Sequence, residues 1–233
     1  MKNYFKLSIT ALAILFLFNI FAVSEAKAQN IVNEILNRMN EHQKALTSLK
    51  AGVAMDKYNS QLDEHEFWEG STKYVKGNGS ELNARLDWSK PEQQMLSVVK
   101  KQYVIFRPRL NQAIYGNTDD AQKKGTEGSG IFDFLKMSKE ELKANYAVKY
   151  LGKEDVKGGI PTWHLELTPK VAKSYKLVDI WVDGNGMVLQ SRITSNNGDT
   201  STILLSSLQK NENINIKNEI VIALPKGVSM VKG

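Results

Sequence analysis

The sequence predicts a mainly β protein built on a large curved sheet with one apolar and one solvated side. In residues 82–91 apolar and polar side chains alternate until a proline ends the run, and the apolar members are Leu82, Ala84, Leu86 and Trp88. Strict alternation is typical of an extended strand with one buried and one wet face. The same alternation recurs through most of the following chain. A concave apolar side of this kind suits binding an oily molecule better than catalysis.

Residues 1–28 have the pattern of a cleavable export signal. Two lysines give a positive start, residues 7–23 are mainly apolar, and residues 26–28 read Ala-Lys-Ala, a small-x-small cleavage site. The sequence therefore predicts that residues 1–28 are removed and that residues 29–233 form a single domain. An uncleaved membrane anchor is the alternative, because the apolar stretch is at the short end of the range for a spanning helix.

Charge and cysteine content exclude several classes of function. The chain has 31 Lys and Arg against 25 Asp and Glu, and after residue 28 there remain 28 against 24, a net charge of +4. This mild excess does not indicate nucleic-acid binding, because nucleic-acid binders cluster their basic residues. The chain has no cysteine, which excludes disulfides, thiolate metal sites, cysteine nucleophiles and an acylated N-terminal cysteine. We therefore expect an exported, soluble protein without a lipid anchor.

Residues 29–48 are predicted to be helical. Apolar side chains recur there at helical spacing, and they are Ile31, Ile35, Leu36, Met39, Ala45 and Leu46. Such a stripe predicts a helix that packs against the sheet. The alternative is an amphipathic helix that binds a membrane surface.

From residue 49 onwards the apolar period changes to two, and short polar turns between the runs predict antiparallel meanders. Pro91 and Pro108 mark places where strands end, and Asp-Gly-Asn-Gly at residues 183–186 predicts a hairpin turn. The predicted strands are residues 49–55, 66–76, 82–88, 94–99, 102–107, 147–151, 162–167, 177–182, 187–194, 202–208, 214–216 and 220–224.

A different kind of segment interrupts the strands. Residues 117–130 are polar and rich in glycine, which predicts a mobile loop. The loop lacks the Lys-Ser/Thr of a phosphate-binding loop, and it also lacks the strand that precedes a loop of that kind. Residues 131–137 are mostly apolar, and Ser138 with Glu141 forms a capping-box pattern. We predict that residues 142–146 continue the helix that this cap begins, so that the segment forms one or two short helices with a large apolar face.

No motif for catalysis or metal binding is found in the sequence. His42, His65 and His164 lack metal-type spacing, and His164 is predicted to be an ordinary outward or pocket-edge residue of a strand. The glutamates of residues 64–69 alternate with two aromatic residues, which predicts a solvated strand face rather than the carboxylate pair of a glycosidase. The nucleophile motif Gly-x-Ser-x-Gly is missing. We therefore predict no catalytic residue, no metal and no cofactor.

Five stretches in order along the chain carry a family resemblance. Together they cover nearly the whole region after residue 28, and they resemble the LolA family of periplasmic outer-membrane lipoprotein carriers. The stretches are Leu-Asp-Trp-Ser-Lys-Pro at 86–91, the strand and its exit at 102–113, Leu-Glu-Leu-Thr-Pro-Lys at 165–170, the hairpin at 180–189, and Leu-Pro-Lys-Gly-Val at 224–228.

The resemblance implies an open antiparallel half-barrel with an N-terminal helix and a helical lid over an apolar concave cavity. Family members take acylated lipoproteins, released from the inner membrane by an ABC-type complex, across the periplasm to an outer-membrane acceptor. It thus implies a periplasmic carrier that is not an enzyme, with acylated lipoproteins as cargo and these two assemblies as partners. We expect a monomer with no nucleic-acid partner. The alternatives are a carrier of another lipid or glycolipid, a secreted hydrolase and a β-rich envelope scaffold with a filled core.

Acyl chains are expected to contact the apolar side of the strands and the lid. The alternative for the lid residues is that they complete an ordinary core. The predicted lipid-binding residues are Val53, Met55, Leu86, Trp88, Leu96, Val98, Phe106, Leu165 and Leu167 on the strands, and Phe132, Phe134, Leu135 and Met137 on the lid.

One family feature has no match in this sequence. In the family, an Arg-Pro pair often precedes the aromatic-x-Trp strand, and that arginine holds the lid closed. Here the corresponding place reads Leu82-Asn83. Alternation predicts that Arg85 faces away from Leu86 and Trp88, so either the lid latch differs or Arg85 reaches the lid through a bulge.

Overall fold

The computed structural model describes residues 29–78, 81–118 and 137–233. The export signal predicted for residues 1–28 and the predicted lid residues Phe132, Phe134 and Leu135 lie outside these ranges. The strands of the described residues are β1 (Ser48–Asn59), β2 (Glu64–Lys76), β3 (Leu82–Lys90), β4 (Gln94–Lys100), β5 (Gln102–Arg107), β6 (Gln112–Asn117), β7 (Tyr146–Val156), β8 (Ile160–Pro169), β9 (Tyr175–Val182), β10 (Val188–Ser195), β11 (Thr200–Lys210) and β12 (Ser229–Lys232).

All twelve of these strands belong to one open sheet, in the order β12-β6-β5-β4-β3-β2-β1-β11-β10-β9-β8-β7. Neighbours are antiparallel, as the meander pattern predicts, except that β12 runs parallel to β6. The sheet does not close, because β7 and β12 lie at its two ends rather than pairing with each other. This is the predicted open half-barrel. As predicted, β3 ends directly before Pro91 and β5 directly before Pro108.

Directly opposed residues on paired strands point to the same face of a sheet, so the register defines two faces. One row of directly opposed residues crosses seven neighbouring strands, from β2 at one end to β7 at the other. Its members, in the order of the strands in the sheet, are Trp68, Met55, Ile203, Ser191, Ile180, Leu165 and Tyr150. The next row joins Val53 to Gly70 and Trp88. We call the face that carries these rows the apolar face and the other one the opposite face.

Helix α1 comprises residues 29–45 and covers one end of the apolar face. Its buried side chains are Val32, Ile35, Leu36 and Met39, and they pack with buried residues of β8, β9 and β10. The predicted packing of an amphipathic helix on the sheet is confirmed for Ile35, Leu36 and Met39. Two members of the predicted stripe, Ile31 and Ala45, are exposed instead, and Val32 is buried in place of Ile31. The helix ends three residues earlier than predicted, because β1 already begins at Ser48.

A second helix, α2 (Lys139–Asn145), begins with the predicted capping box. The backbone N–H of Glu141 donates to Ser138 Oγ at 3.2 Å, and the backbone N–H of Ser138 donates to Glu141 Oε2 at 2.8 Å. Leu142 of this helix is fully buried against the α1 cluster. Tyr146 does not continue the helix as predicted, since it is the first residue of β7.

The C-terminal segment differs from the prediction. Residues 214–216 and 220–224 are not strands: the chain is irregular there except for a π-helical turn at Ile216–Ile220. Alternating isoleucines produce the strand pattern because the segment crosses the opposite face as a single layer, with Ile222 packed on Phe106. Strands β6 and β12, which pair in parallel, were not predicted.

Candidate functional site

Over β1 to β5 the apolar face carries a second apolar cluster, distinct from the one that α1 covers. Of the predicted lipid-binding residues, Val53, Met55, Leu86, Trp88 and Val98 are buried there in one cluster, and half-buried Leu96 packs against it. Leu96 lies directly opposite Leu86 in the sheet. The register thus brings these six residues onto one face.

Trp68 belongs to the same surface although the sequence did not identify it. It lies opposite Met55, and its ring meets the ring of Trp88 edge-on at 5.6 Å between centroids. Its glutamate neighbours suggested a solvated strand. The missed signal is the alternation along β2, in which even-numbered positions share one face. Trp68 is therefore on the same face as Tyr74, which is buried, while Phe67 is on the other face and 65 % exposed.

Phe106 was predicted to line the cavity, and that placement is wrong. It lies opposite Met95, which lies opposite Asp87, so Phe106 is on the opposite face. There it packs with Ala113 and Ile222 under the C-terminal segment. Tyr103 and Ile105 take its place on the apolar face, because they lie opposite Val98 and Leu96.

Leu165 and Leu167 are on the apolar face but are not open to a ligand. Both are fully buried in the cluster formed with helix α1. Of the predicted lid residues, only Met137 is among the described residues, and it packs half-buried against the same cluster. These three side chains therefore hold the helices on the sheet.

Arg85 faces away from the apolar face, as alternation predicts. It lies in regular register opposite Lys73, and the nearby bulge falls between Glu69 and Gly70, so it does not reach the apolar face through a bulge. Its Nε donates to Asp87 at 2.8 and 2.9 Å. Its Nη1 donates to the carbonyl oxygen of Val221 at 3.4 Å, so Arg85 belongs to the contact between β3 and the C-terminal segment.

Glu219 is the main electrostatic anchor of that segment. Its Oε2 lies 3.1 Å from the Nζ of both Lys50 and Lys73. A hydrogen bond from the backbone N–H of Asn215, with these two lysines, lowers the pKa of Glu219 to about 2.

A polar end terminates the apolar face at the β1–β2 and β10–β11 turns. One step beyond Met55 on the same face, Lys57 lies opposite Glu66 and Ser201. The Lys57 ammonium lies 5.8 Å from the centroid of the Trp68 ring. Here a cavity of about 530 Å³ opens, which we call the rim cavity; its lining residues are Lys57, Tyr58, Asn59, Glu64, His65, Glu66, Ser195, Asp199, Thr200 and Ser201.

His164 occupies the opposite face. Its Nδ1 lies 2.9 Å from Glu154 and its Nε2 2.9 Å from Asp179, and its ring stacks on Trp181 at 4.3 Å. The side chain is only 15 % exposed, so it ties strands together rather than standing at a pocket edge. Within the described ranges no three His, Asp or Glu side chains are grouped as a metal site requires.

Comparisons with known proteins agree with this architecture. The family model of the outer membrane lipoprotein carrier protein LolA matches residues 82–218. No curated protein sequence matches the chain significantly. In the part of the chain that the structure describes, no helix is long and apolar enough to cross a bilayer.

Two solved structures share the fold at low sequence identity. An uncharacterized conserved protein from Thermus thermophilus has a TM-score of 0.55 and 12% identity, with 87% of this chain and 99% of that one covered. MucB has a TM-score of 0.55 and 17% identity, with 85% of this chain covered but only 64% of MucB. Since the family model covers more than half of the residues, this chain belongs to the LolA family of outer membrane lipoprotein carrier proteins.

Proposed function

We propose that this protein is a periplasmic carrier that binds the acyl chains of lipoproteins released from the inner membrane and delivers them to the outer membrane. The observation that carries the proposal is the aromatic and aliphatic part of the apolar face outside helix α1. It combines Trp68 and Trp88 with aliphatic side chains of neighbouring strands on one side of the sheet. Membership in a family of lipoprotein carriers supports the same role.

Such a carrier must supply a large free energy of burial for the acyl chain. Each CH₂ removed from water contributes about 0.8 kcal/mol, so an acyl chain of about 15 methylenes represents roughly 12 kcal/mol. An acylated protein therefore needs an apolar surface throughout its passage between membranes. The proposed transfer is driven by affinity alone, with no catalysis and no nucleotide.

The proposed partners follow from this role. An ABC-type complex of the inner membrane hands over the cargo, and an outer-membrane acceptor receives it by offering the better apolar fit. The carrier acts as a monomer of residues 29–233 after loss of residues 1–28. Met55, Leu86, Trp88, Leu96 and Val98 are proposed as the strand residues that contact the acyl chains, together with Val53.

Photo-crosslinking in the periplasm tests this proposal. A benzoylphenylalanine replaces Leu96, which is half-buried on the apolar face, and in a matched control it replaces its neighbour Met95, which is half-buried on the opposite face. We expect acylated lipoproteins to crosslink from position 96 and not from position 95.

The other results of this experiment have distinct meanings. Capture of free lipid or glycolipid alone from position 96 would identify a lipid carrier and refute the lipoprotein cargo. Equal capture from positions 95 and 96 would refute the assignment of the binding face. A folded protein that captures nothing from either position would indicate that the apolar face is packed by the protein's own side chains, and would refute the carrier function.

A further inference from the structure

The sheet edge formed by β5, β6 and β12 is basic. Together with the turns that flank these strands it comprises residues 100–118 and 222–233, which we call the basic edge. The two stretches pack on each other through Phe106, Ala113 and Ile222, and β12 pairs with β6. They contain no aspartate or glutamate, and their basic residues are Lys100, Lys101, Arg107, Arg109, Lys226 and Lys232.

This charge is local and does not follow from the composition. Without the basic edge, the chain after residue 28 carries 22 basic against 24 acidic side chains. Residues 119–136, which lie outside the described ranges, have three basic and four acidic side chains, so their charges nearly balance. Glu219, the last acidic residue of the chain, already binds Lys50 and Lys73. The basic edge therefore keeps a local excess of positive charge.

Apolar side chains are exposed along the same edge. Leu110 is 62 % exposed in the 3-10 turn between β5 and β6, directly after Arg109. Met230 and Val231 of β12 are 52 % and 40 % exposed, and Tyr115 of the neighbouring β6 is exposed as well. Exposed apolar side chains gathered in one region mark an interaction surface.

Hydrogen bonds hold the 3-10 turn next to the start of β12. The backbone N–H of Ser229 donates to the carbonyl oxygen of Asn111 at 2.9 Å, and Asn111 Nδ2 donates to the carbonyl oxygen of Gly227 at 3.0 Å. Arg109 and Lys226 are each within two residues of these bonds, so both lie at the same end of the basic edge.

An anionic bilayer surface suits this combination of side chains. Lys and Arg near such a surface are attracted to its phosphate groups, and exposed apolar side chains can enter the headgroup region. Met230 and Val231 point to opposite faces of the sheet, because successive strand side chains alternate. A bilayer approached by the sheet edge can contact both, whereas a protein partner packed on one face would contact only one of them. The observations therefore favour a lipid surface over an acidic protein.

We propose that the basic edge binds the surface of an anionic lipid bilayer, with Leu110 and Met230 entering its headgroup region. The proposed acyl-contacting residues lie on β1, β3 and β4, outside the basic edge. Binding to a membrane surface is thus a function beside the proposed carriage of cargo, and it does not depend on that carriage.

Flotation of lipid vesicles with the protein recovered after export tests the proposal. One set of vesicles contains equal parts of phosphatidylglycerol and phosphatidylcholine, and the other contains phosphatidylcholine alone. We expect binding to the mixed vesicles to be at least about tenfold tighter than to phosphatidylcholine alone, and to weaken as the salt concentration is raised.

Three variants locate the effect, and urea unfolding checks that each remains folded. Arg109→Glu combined with Lys226→Glu should weaken binding to the mixed vesicles by about tenfold or more. Lys149→Glu combined with Lys153→Glu makes the same change in net charge on β7, at the other end of the sheet, and should leave binding within about threefold of the wild type. Leu110→Ser should weaken binding by about threefold at low and high salt alike.

The remaining results would overturn the proposal. Equal binding to both kinds of vesicle, or an equal loss in the two charge-reversed variants, would show that the basic edge is not a site for anionic lipid. A wild-type protein that binds neither kind of vesicle would leave the basic edge to an acidic protein partner. Unchanged binding by Leu110→Ser would refute the entry of Leu110 into the headgroups. The carrier function is decided separately by capture from position 96, because these vesicles contain no lipoprotein.

Discussion

Gly186, in the turn between β9 and β10, is a position where a single methyl group should damage the fold. Its φ is +86°, and a Cβ built there would lie 2.3 Å from the backbone carbon and oxygen of Arg38 in helix α1. The helix backbone cannot yield as a flexible side chain would. Gly186→Ala must therefore shift α1 away from the turn on which it rests.

The expected magnitude combines two terms. The left-handed conformation costs a non-glycine residue about 1 to 2 kcal/mol, and overpacking against a rigid neighbour costs about 1 to 3 kcal/mol. We therefore expect Gly186→Ala to lower the free energy of unfolding by roughly 2 to 5 kcal/mol. Because α1 covers Leu165 and Leu167, the loss should be accompanied by greater exposure of that cluster.

The same turn provides a matched control. Gly184 has no positive φ, and a Cβ there would meet nothing within 4 Å. Its carbonyl, which accepts from Arg38 at 2.9 Å, is unaffected by an alanine. Gly184→Ala should leave the free energy of unfolding within about 1 kcal/mol of the wild type. Any change should be a gain, because alanine reduces the number of conformations open to the unfolded chain.

Urea denaturation followed by tryptophan fluorescence measures both variants. The midpoint of Gly186→Ala should fall with little change in the denaturant slope, since the unfolded surface is the same. The reasoning is refuted if the two variants have equal midpoints, or if Gly186→Ala changes the free energy of unfolding by less than about 0.5 kcal/mol.

Three further predictions concern the opposite face, the C-terminal segment and α2. Phe106→Ala should cost about 3 to 5 kcal/mol of stability yet leave the affinity for an apolar probe unchanged; a selective loss of affinity in the folded variant would return Phe106 to the binding face. The pKa of Glu219 lies below its usual 4.5, so the stability that its carboxylate gives the folded protein is complete above pH 4.5 and is lost as the pH falls toward 2. The difference in free energy of unfolding between wild type and Glu219→Gln should therefore shrink over this range. A difference that stays constant would contradict the assignment. Ser138→Ala should destabilise by about 1 kcal/mol through loss of the α2 cap, measured by urea unfolding, and no change would show that the cap is dispensable.

Alternation alone was sufficient to predict much of the sheet. From Leu49 to Met55 in β1 and from Leu82 to Trp88 in β3 the side chains at alternate positions are apolar. The residue order therefore assigns Val53, Met55, Leu86 and Trp88 to one side of their strands before any partner strand is known. The two prolines end their strands because the ring removes a ladder donor. The helical stripe of α1 similarly predicted the side of the helix that packs on the sheet.

The tertiary structure decided which face each side chain occupies in segments where apolar and polar residues do not alternate in the predicted way. Residues 103–106 read Tyr-Val-Ile-Phe, so every position is apolar and either parity is compatible with the sequence. Only pairing with β4 and β6 places Phe106 on the opposite face. In the C-terminal segment, isoleucines alternate as in a strand although the segment packs over the sheet instead of pairing within it.

The extent of the candidate site was also decided by packing. Leu165 and Leu86 have equivalent apolar patterns in their strands, and each faces the same side of the sheet. Helix α1 covers the first and not the second, which separates the structural core from the proposed acyl-binding surface. The residue order determines local periodicity, and hence which side chains can share a face. Which part of that face is buried depends on contacts between distant segments, for which the local pattern contains no information.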